Sequence, residues 1–207
     1  SIRMNKTLWN YIENTISEIP FQRSLLQNSP RTLFDKLPKK SAFKKHDLDN
    51  SLIIHVRGGD ALFSGSLILP PIDYYISCID KVSPSKVVVV SEPDNLKKYK
   101  SSNPVPLVIN QYCEKKNIKF TSISSEDILY DAGLLFRAKR IVTSTSSFSK
   151  TISLYSRDCE NIFMPRFVKN DKDYFSDKSV QHVSFINEVD LESWANNLDY
   201  RLRWVSG

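Results

Sequence analysis

Hydrophobic positions along the chain follow two alternating rhythms. Short runs rich in β-branched residues, such as Leu52-Ile53-Ile54 with Val56 and the valines 87–90, have the length and composition of buried strands. Between them lie stretches whose apolar residues return every three or four positions, which is the spacing of one helix face. The strand-like runs are "SLIIHV", "KVVVVSE", "VPLVI", "IKFTSI", "RIVTST" and "NIFMP". The helix-like ones are "PIDYYISCIDKV", "DNLKKYK", "QYCEKKN", "SEDILYDAGLLFRA" and "SFSKTISLYSRD". Such alternation predicts an α/β fold, an open and mostly parallel sheet with helices on both faces. Ahead of it, "NKTLWNYIENTISEIP" places Leu8, Tyr11, Ile12, Ile16 and Ile19 on one helical face, with Asn5 or Thr7 as cap and Pro20 as stop. A second helix is expected in "FQRSLLQ", with loop or short turns in "SPRTLFDKLPKKS", and "NEVDLESWANNLDYRLRW" predicts a terminal helix capped by Asn187 or Asp190. The pattern divides the chain into a helical N-terminal segment, 1–50, and a sheet domain with a C-terminal helix, 51–207.

Composition narrows the class. A chain of 207 residues with 41% hydrophobic and 25% charged content can bury the core of one large domain. No apolar run approaches the roughly 20 residues that cross a bilayer, and "SIRMNKTLWN" has no signal-peptide core. The expectation is a cytoplasmic protein without a membrane span, or one domain of a larger polypeptide. Cys78, Cys113 and Cys159 are odd in number and widely spaced, which predicts reduced, structural thiols rather than disulfides or a zinc site. A net charge of +6 favours an anionic partner. The basic clusters "KLPKKSAFKKHD" and "NLKKYK" lack interleaved aromatic residues, so they read as solvated surface and no nucleic-acid partner is expected.

Polar chemistry collects where the strand-like runs end. The first ends in His55-Val56-Arg57-Gly58-Gly59-Asp60, the valine run in Ser91-Glu92-Pro93-Asp94, and "RIVTS" in Thr143-Ser144-Thr145-Ser146-Ser147. In parallel sheets ligands bind at the carboxyl ends of strands, facing helix N-termini. One guanidinium with several hydroxyls and amides there suits a diphosphate. Strand alternation places His55 and Arg57 on the same side. Each feature also has a plain structural reading: the glycine pair as a turn, His55 as a hydrogen-bonded core histidine, and Ser147 or Ser149 as a helix cap. No Walker loop, GxGxxG, metal-ligand pattern or nucleophile elbow is present in the sequence.

Together the motifs say more. "HVRGGD" resembles the His-x-Arg-x-Gly-Asp motif of the fucosyltransferase superfamily, which includes α-1,2-, α-1,6- and protein O-fucosyltransferases. "DAGLLFRAKRIVTSTSSFS" is similar to that superfamily's later block, and "LPPIDYYISCID" and "VVVVSEPDN" resemble the segments between, so the likeness runs from about Leu52 to Pro165. The resemblance implies a Rossmann-like domain, the C-terminal donor-binding half of a GT-B glycosyltransferase. It implies an inverting, metal-independent transfer with no cofactor, the nucleotide-sugar donor being a substrate and a glycan the acceptor. By position, Arg57 would grip the diphosphate, and His55, Gly59 and Asp60 would shape that pocket. Asp131 would meet the base or ribose, and Ser146, Ser147 and Phe148 would line the phosphate and ribose site. Asp60, Glu92 and Asp94 are candidates for the catalytic base, with Asp60 favoured. Three positions depart from the pattern: Gly58 where an arginine is common, Ser91-Glu92-Pro93 in place of Ser-Asp-Asp, and Lys150 in place of a tryptophan. The expected donor is GDP-L-fucose, with UDP-L-rhamnose, dTDP-L-rhamnose or UDP-xylose as alternatives. A non-catalytic nucleotide-sugar-binding module is the other reading.

Overall fold

The computed structural model describes residues 37–58, 60–65, 67–92, 103–124, 127–156, 158–166, 179–184 and 189–207. The expected helices before residue 37, the "DNLKKYK" helix and the cap at Asn187 lie outside these residues. Among the described residues six strands form one sheet: β1 (Ser51–Val56), β2 (Lys86–Ser91), β3 (Lys119–Ser124), β4 (Arg140–Val142), β5 (Asn161–Arg166) and β6 (Ser179–Ser184). Every pairing is parallel and the order is β3-β2-β1-β4-β5-β6. This is the Rossmann-like arrangement expected of alternating strands and helices. Ile54 pairs with Val89 on one side and Val142 on the other, which centres the sheet on β1.

The helices are α1 (Asp60–Ser64), α2 (Ile72–Val82), α3 (Val105–Lys115), α4 (Ile128–Phe136), α5 (Ser147–Tyr155), α6 (Leu191–Asn196) and α7 (Leu198–Ser206), with a 3-10 helix at Lys40–His46. Because side chains alternate along a strand, the continuous apolar runs feed two cores. Leu52, Ile54, Val56, Val87 and Val89 pack under α2, α3, α6 and α7. Ile53, Val88, Val90, Ile141 and Ile162 pack under α4, α5 and the residues before β1, where Leu37, Phe43 and Leu48 are buried. Cys78, Cys113 and Cys159 are buried and not joined in disulfides.

Three elements differ from the sequence reading. "VPLVI" is the start of α3, not a strand. Val105, Ile109 and Cys113 are buried at intervals of four while Leu107 is 60% exposed, so the period is helical and the apolar run conceals it. The terminal segment is two helices, because Asn197 is extended (φ −127°, ψ 107°) and its side chain accepts from Tyr200 N to start the second. Asp190 caps the first, accepting from the amides of Glu192 and Ser193. β6 was not signalled, since "SVQHVS" has only two apolar residues.

Arg201 of α7 is 5% exposed and fastens the helices of the first face. Its guanidinium donates to the carbonyls of Leu62 (2.7 Å) and Phe63 (2.9 Å) in α1 and of Trp194 (2.6 Å) in α6. Those carbonyls lie in the last turns of short helices, where helical partners run out. Gly65, at φ 67°, turns the chain away immediately beyond α1, and a side chain there would press on the same guanidinium.

Candidate functional site

The strand order reverses between β1 and β4. From β1 the chain leaves toward α1 and α2 on one face, and from β4 toward α5 on the other, which opens a crevice at the carboxyl ends. The motif around His55 and the serine-rich stretch after β4 meet at this crevice.

His55 Nδ1 lies 3.0 Å from Ser144 Oγ, across 89 residues of sequence. Ser144 Oγ also accepts from Ser146 N at 3.3 Å, and Ser146 Oγ from Phe148 N at 3.2 Å. The His55 ring rests against Phe148, with centroids 5.6 Å apart. One polar chain thus links the end of β1 to the first turn of α5. Ser146 is the cap of that helix, rather than Ser147 or Ser149, and Ser147 is its first residue. Thr145 Oγ1, in the same loop, is buried without a hydrogen-bond partner. Burial, and secondarily the charge of Arg57, lower the His55 pKa to about 3. The ring is therefore neutral near pH 7 and offers hydrogen bonds rather than charge.

Arg57 continues the alternation past the strand end, on the side of His55. Its Nη1 lies 3.4 Å from Glu92 Oε1, and the two side chains are 30% and 34% exposed. Glu92 follows the last residue of β2, Ser91, which pairs with Val56. The guanidinium is thus held at the rim by a carboxylate yet remains open to solvent.

Asp131 sits in the first turn of α4, the helix beside α5 on the same face of the sheet. α4 begins after the carboxyl end of β3, so Asp131 and Arg57 lie toward the same end of the sheet. Asp131 Oδ1 is buried without a hydrogen-bond partner. Burial first, then the charge of Asp127, raises its pKa to about 7. Asp127 is the α4 cap and accepts from Leu129 N and Tyr130 N.

Gly59 and Asp94 lie outside the described residues, and Asp60 is described only as the first residue of α1. The structure therefore joins His55 to Ser146 through Ser144 and to Phe148 by ring contact; Arg57 lies two residues beyond His55 and pairs with Glu92, Ser147 opens α5, and Asp131 is on the same face. Sequence reasoning missed three participants. Ser144 is the partner of His55, though it was one hydroxyl among five in its run. Tyr74 places its hydroxyl 2.8 Å from Thr143 O and 3.0 Å from Phe163 O, fixing the strand ends where the loop begins. Asn103 lies against Gly58, and its only sequence signal is the Asn-Pro step at the start of a helix. Among the described residues no three His, Cys, Asp or Glu side chains are grouped to hold a metal ion, and no helix is long and apolar enough to cross a membrane. Comparison with protein-family models, with curated proteins and with solved structures finds no match to this chain.

Proposed function

We propose that this chain binds a nucleoside-diphosphate sugar at the β1–β4 crevice and acts as the donor-binding half of an inverting glycosyltransferase. The observation that carries the reading is that the β1 end bearing Arg57 is tied, through His55 and Ser144, to the hydroxyl-rich β4–α5 loop at the point where strand order reverses. Glycosyl transfer from such a donor releases a nucleoside diphosphate whose negative charge grows as the sugar bond breaks. A planar guanidinium and a helix N-terminus aimed at that charge stabilise it more in the transition state than in the ground state. Neutral His55, fixed through Ser144, adds a hydrogen bond without competing with Arg57 for the anion. Asp131 is suited to ribose hydroxyls or a base edge, since it accepts when ionised and donates when protonated.

The resemblance of "HVRGGD" and its downstream block to fucosyltransferases supports a 6-deoxyhexose, GDP-L-fucose first, moved to a glycan hydroxyl. UDP- or dTDP-linked L-rhamnose and UDP-xylose are the other donors to try. Asp60, which opens α1 directly after the motif, is the proposed base for the acceptor hydroxyl. The test is transfer and hydrolysis of GDP-fucose, UDP-rhamnose, UDP-xylose and UDP-glucose with and without EDTA, alongside calorimetric titration of GDP and UDP. GDP-fucose turnover that persists in EDTA is expected. Activity with UDP-glucose alone, or strict dependence on added Mn²⁺, contradicts the donor and the metal-independent mechanism. Binding of nucleoside diphosphate without any turnover leaves a binding module.

A further inference from the structure

We infer that Asn103 is a specificity-determining contact for the diphosphate, donating from its side-chain amide to a phosphate oxygen beside Gly58. This rests on the proposed nucleotide-sugar site.

Asn103 stands at the entrance to α3, where its Oδ1 accepts from Val105 N at 3.1 Å. That bond fixes which end of the amide is which, so the NH2 group is the end that meets Gly58. A Cβ at position 58 would overlap Nδ2 and would lie 3.2 Å from the Asn103 Cγ. The two residues are therefore a matched pair, because a side chain at 58 displaces the asparagine amide and with it the bond from Val105 N at the entrance to α3. In the superfamily that "HVRGGD" resembles, an arginine is common at position 58, and here an uncharged donor from another segment occupies that space.

Nδ2 is buried and has no hydrogen-bond partner. A buried donor without an acceptor forfeits the bonds that water would have given it. Helix capping does not account for that cost, since serine, threonine or aspartate would cap α3 through an oxygen and strand no amide hydrogens. Asparagine makes sense if an acceptor arrives with the ligand. The adjoining residue is Arg57, so the part of the nucleotide that comes here is its diphosphate, whose unesterified oxygens carry several lone pairs each. Aspartate at the same place would set a carboxylate against those oxygens.

The experiment uses the full chain and compares Asn103→Asp with the wild type by titration of GDP and UDP, with guanosine and uridine as controls. The variant retains the capping oxygen, so its melting temperature should stay within about 2 °C of the wild type. Affinity for the better-bound diphosphate should fall at least about tenfold, the size expected when a charge-assisted hydrogen bond is replaced by repulsion. Affinity for the matching nucleoside should not change. Asn103→Ser, which keeps an oxygen to accept from Val105 N but brings neither the amide NH2 nor a charge, should show a smaller loss in the same direction and decides the matter if the aspartate variant does not fold. Wild-type diphosphate affinity in both variants, or an equal loss for nucleoside and diphosphate, overturns the assignment of Asn103 while leaving the nucleotide site standing. A wild-type chain that binds neither diphosphate removes the site and this contact together.

Discussion

The two faces of the sheet both hold buried ionisable groups neutral, but with different consequences for pH. Under α2, α3 and α7 they are phenols and a thiol: burial drives Tyr74 and Tyr75 far up and Cys78 to about 12. These groups are neutral at ordinary pH anywhere, so burying them leaves stability independent of pH. Under α4 and α5 the buried groups include His46, held below its ordinary value by burial, and, at the strand ends, His55, lowered to about 3, and Asp131, raised to about 7. All three have been moved by their surroundings, and in each case burial favours the neutral form. The first face is a clamp, with Arg201 donating to four carbonyls, that of Ala195 among them, and Tyr74 reaching two more. The second ends where His55 is tied through Ser144 to the α5 cap, with Arg57 two residues farther along the chain. Groups held away from their preferred protonation state mark functional sites more often than groups left alone.

The contrast can be broken from either side, and the clamp should give the largest effect. Arg201→Ala strands several buried carbonyls and should lower stability by about 3–4 kcal/mol, read from urea denaturation. A loss below about 1 kcal/mol would show that the clamp is dispensable. On the other face, Arg57→Ala should weaken GDP or UDP binding by about 10–100-fold while moving the melting temperature by no more than about 2 °C, because its side chain lies at the rim. Lysine should rescue poorly, since a point charge does not replace a planar fork. Normal affinity in the alanine variant removes Arg57 from the site.

The pH dependence sharpens the contrast at an intermediate scale. His55 is neutral in the fold but protonated in the unfolded chain below about pH 6.5, so its contribution to stability falls as pH drops from about 6.5 toward 3. Asp131 acts in reverse: the fold keeps its proton up to about pH 7 while the unfolded chain releases it near 3.8, so stability falls as pH rises through that window. Between about pH 4 and 6.5 the two slopes oppose each other. Asp131→Asn should therefore match the wild type at pH 4 and melt about 2–4 °C higher at pH 8. That modest figure already discounts the shift for the residue's partial exposure to solvent. An unchanged difference between pH 4 and pH 8 would show that Asp131 titrates normally. The smallest expected effect belongs to Glu92→Gln. Removing the Glu92 charge from a partly exposed ion pair should leave stability unaltered and raise diphosphate affinity by no more than about fivefold. A marked loss of affinity would mean that Glu92 orients Arg57 rather than competing for it.

Much of the fold was legible because buried strands advertise themselves: the valines 87–90 and Leu52-Ile53-Ile54 have no other stable use. α3 was misread because five residues are too short a window to separate a two-residue from a 3.6-residue period when nearly all are apolar. The split at Asn197 was hidden for a different reason, as a single capping asparagine inside an amphipathic run has no periodic signature. At the site, His55, Arg57 and the serine run were legible as strand ends, and parallel topology joins them. Which hydroxyl meets His55 depends on the offset between β1 and β4, a strand of three residues that pairs with β1 at two positions, and no local pattern encodes it. Asn103 was invisible because its role depends on an absent side chain 45 positions earlier in the chain.

The reach of Arg201 bears on how the protein is made. Its partner Leu62 was synthesised 139 residues earlier, which at ribosomal speeds of roughly 5–20 residues per second is a wait of about 7–28 s. Throughout that interval α1, which follows directly on the motif carrying Arg57, has emerged without its fastening. β1, β2 and β3 are adjacent both in the chain and in the sheet, so they can pair while synthesis continues. The order of assembly is thus a sheet first and a set crevice last, and a nascent chain halted before Arg201 should carry the strands of the domain without the finished mouth.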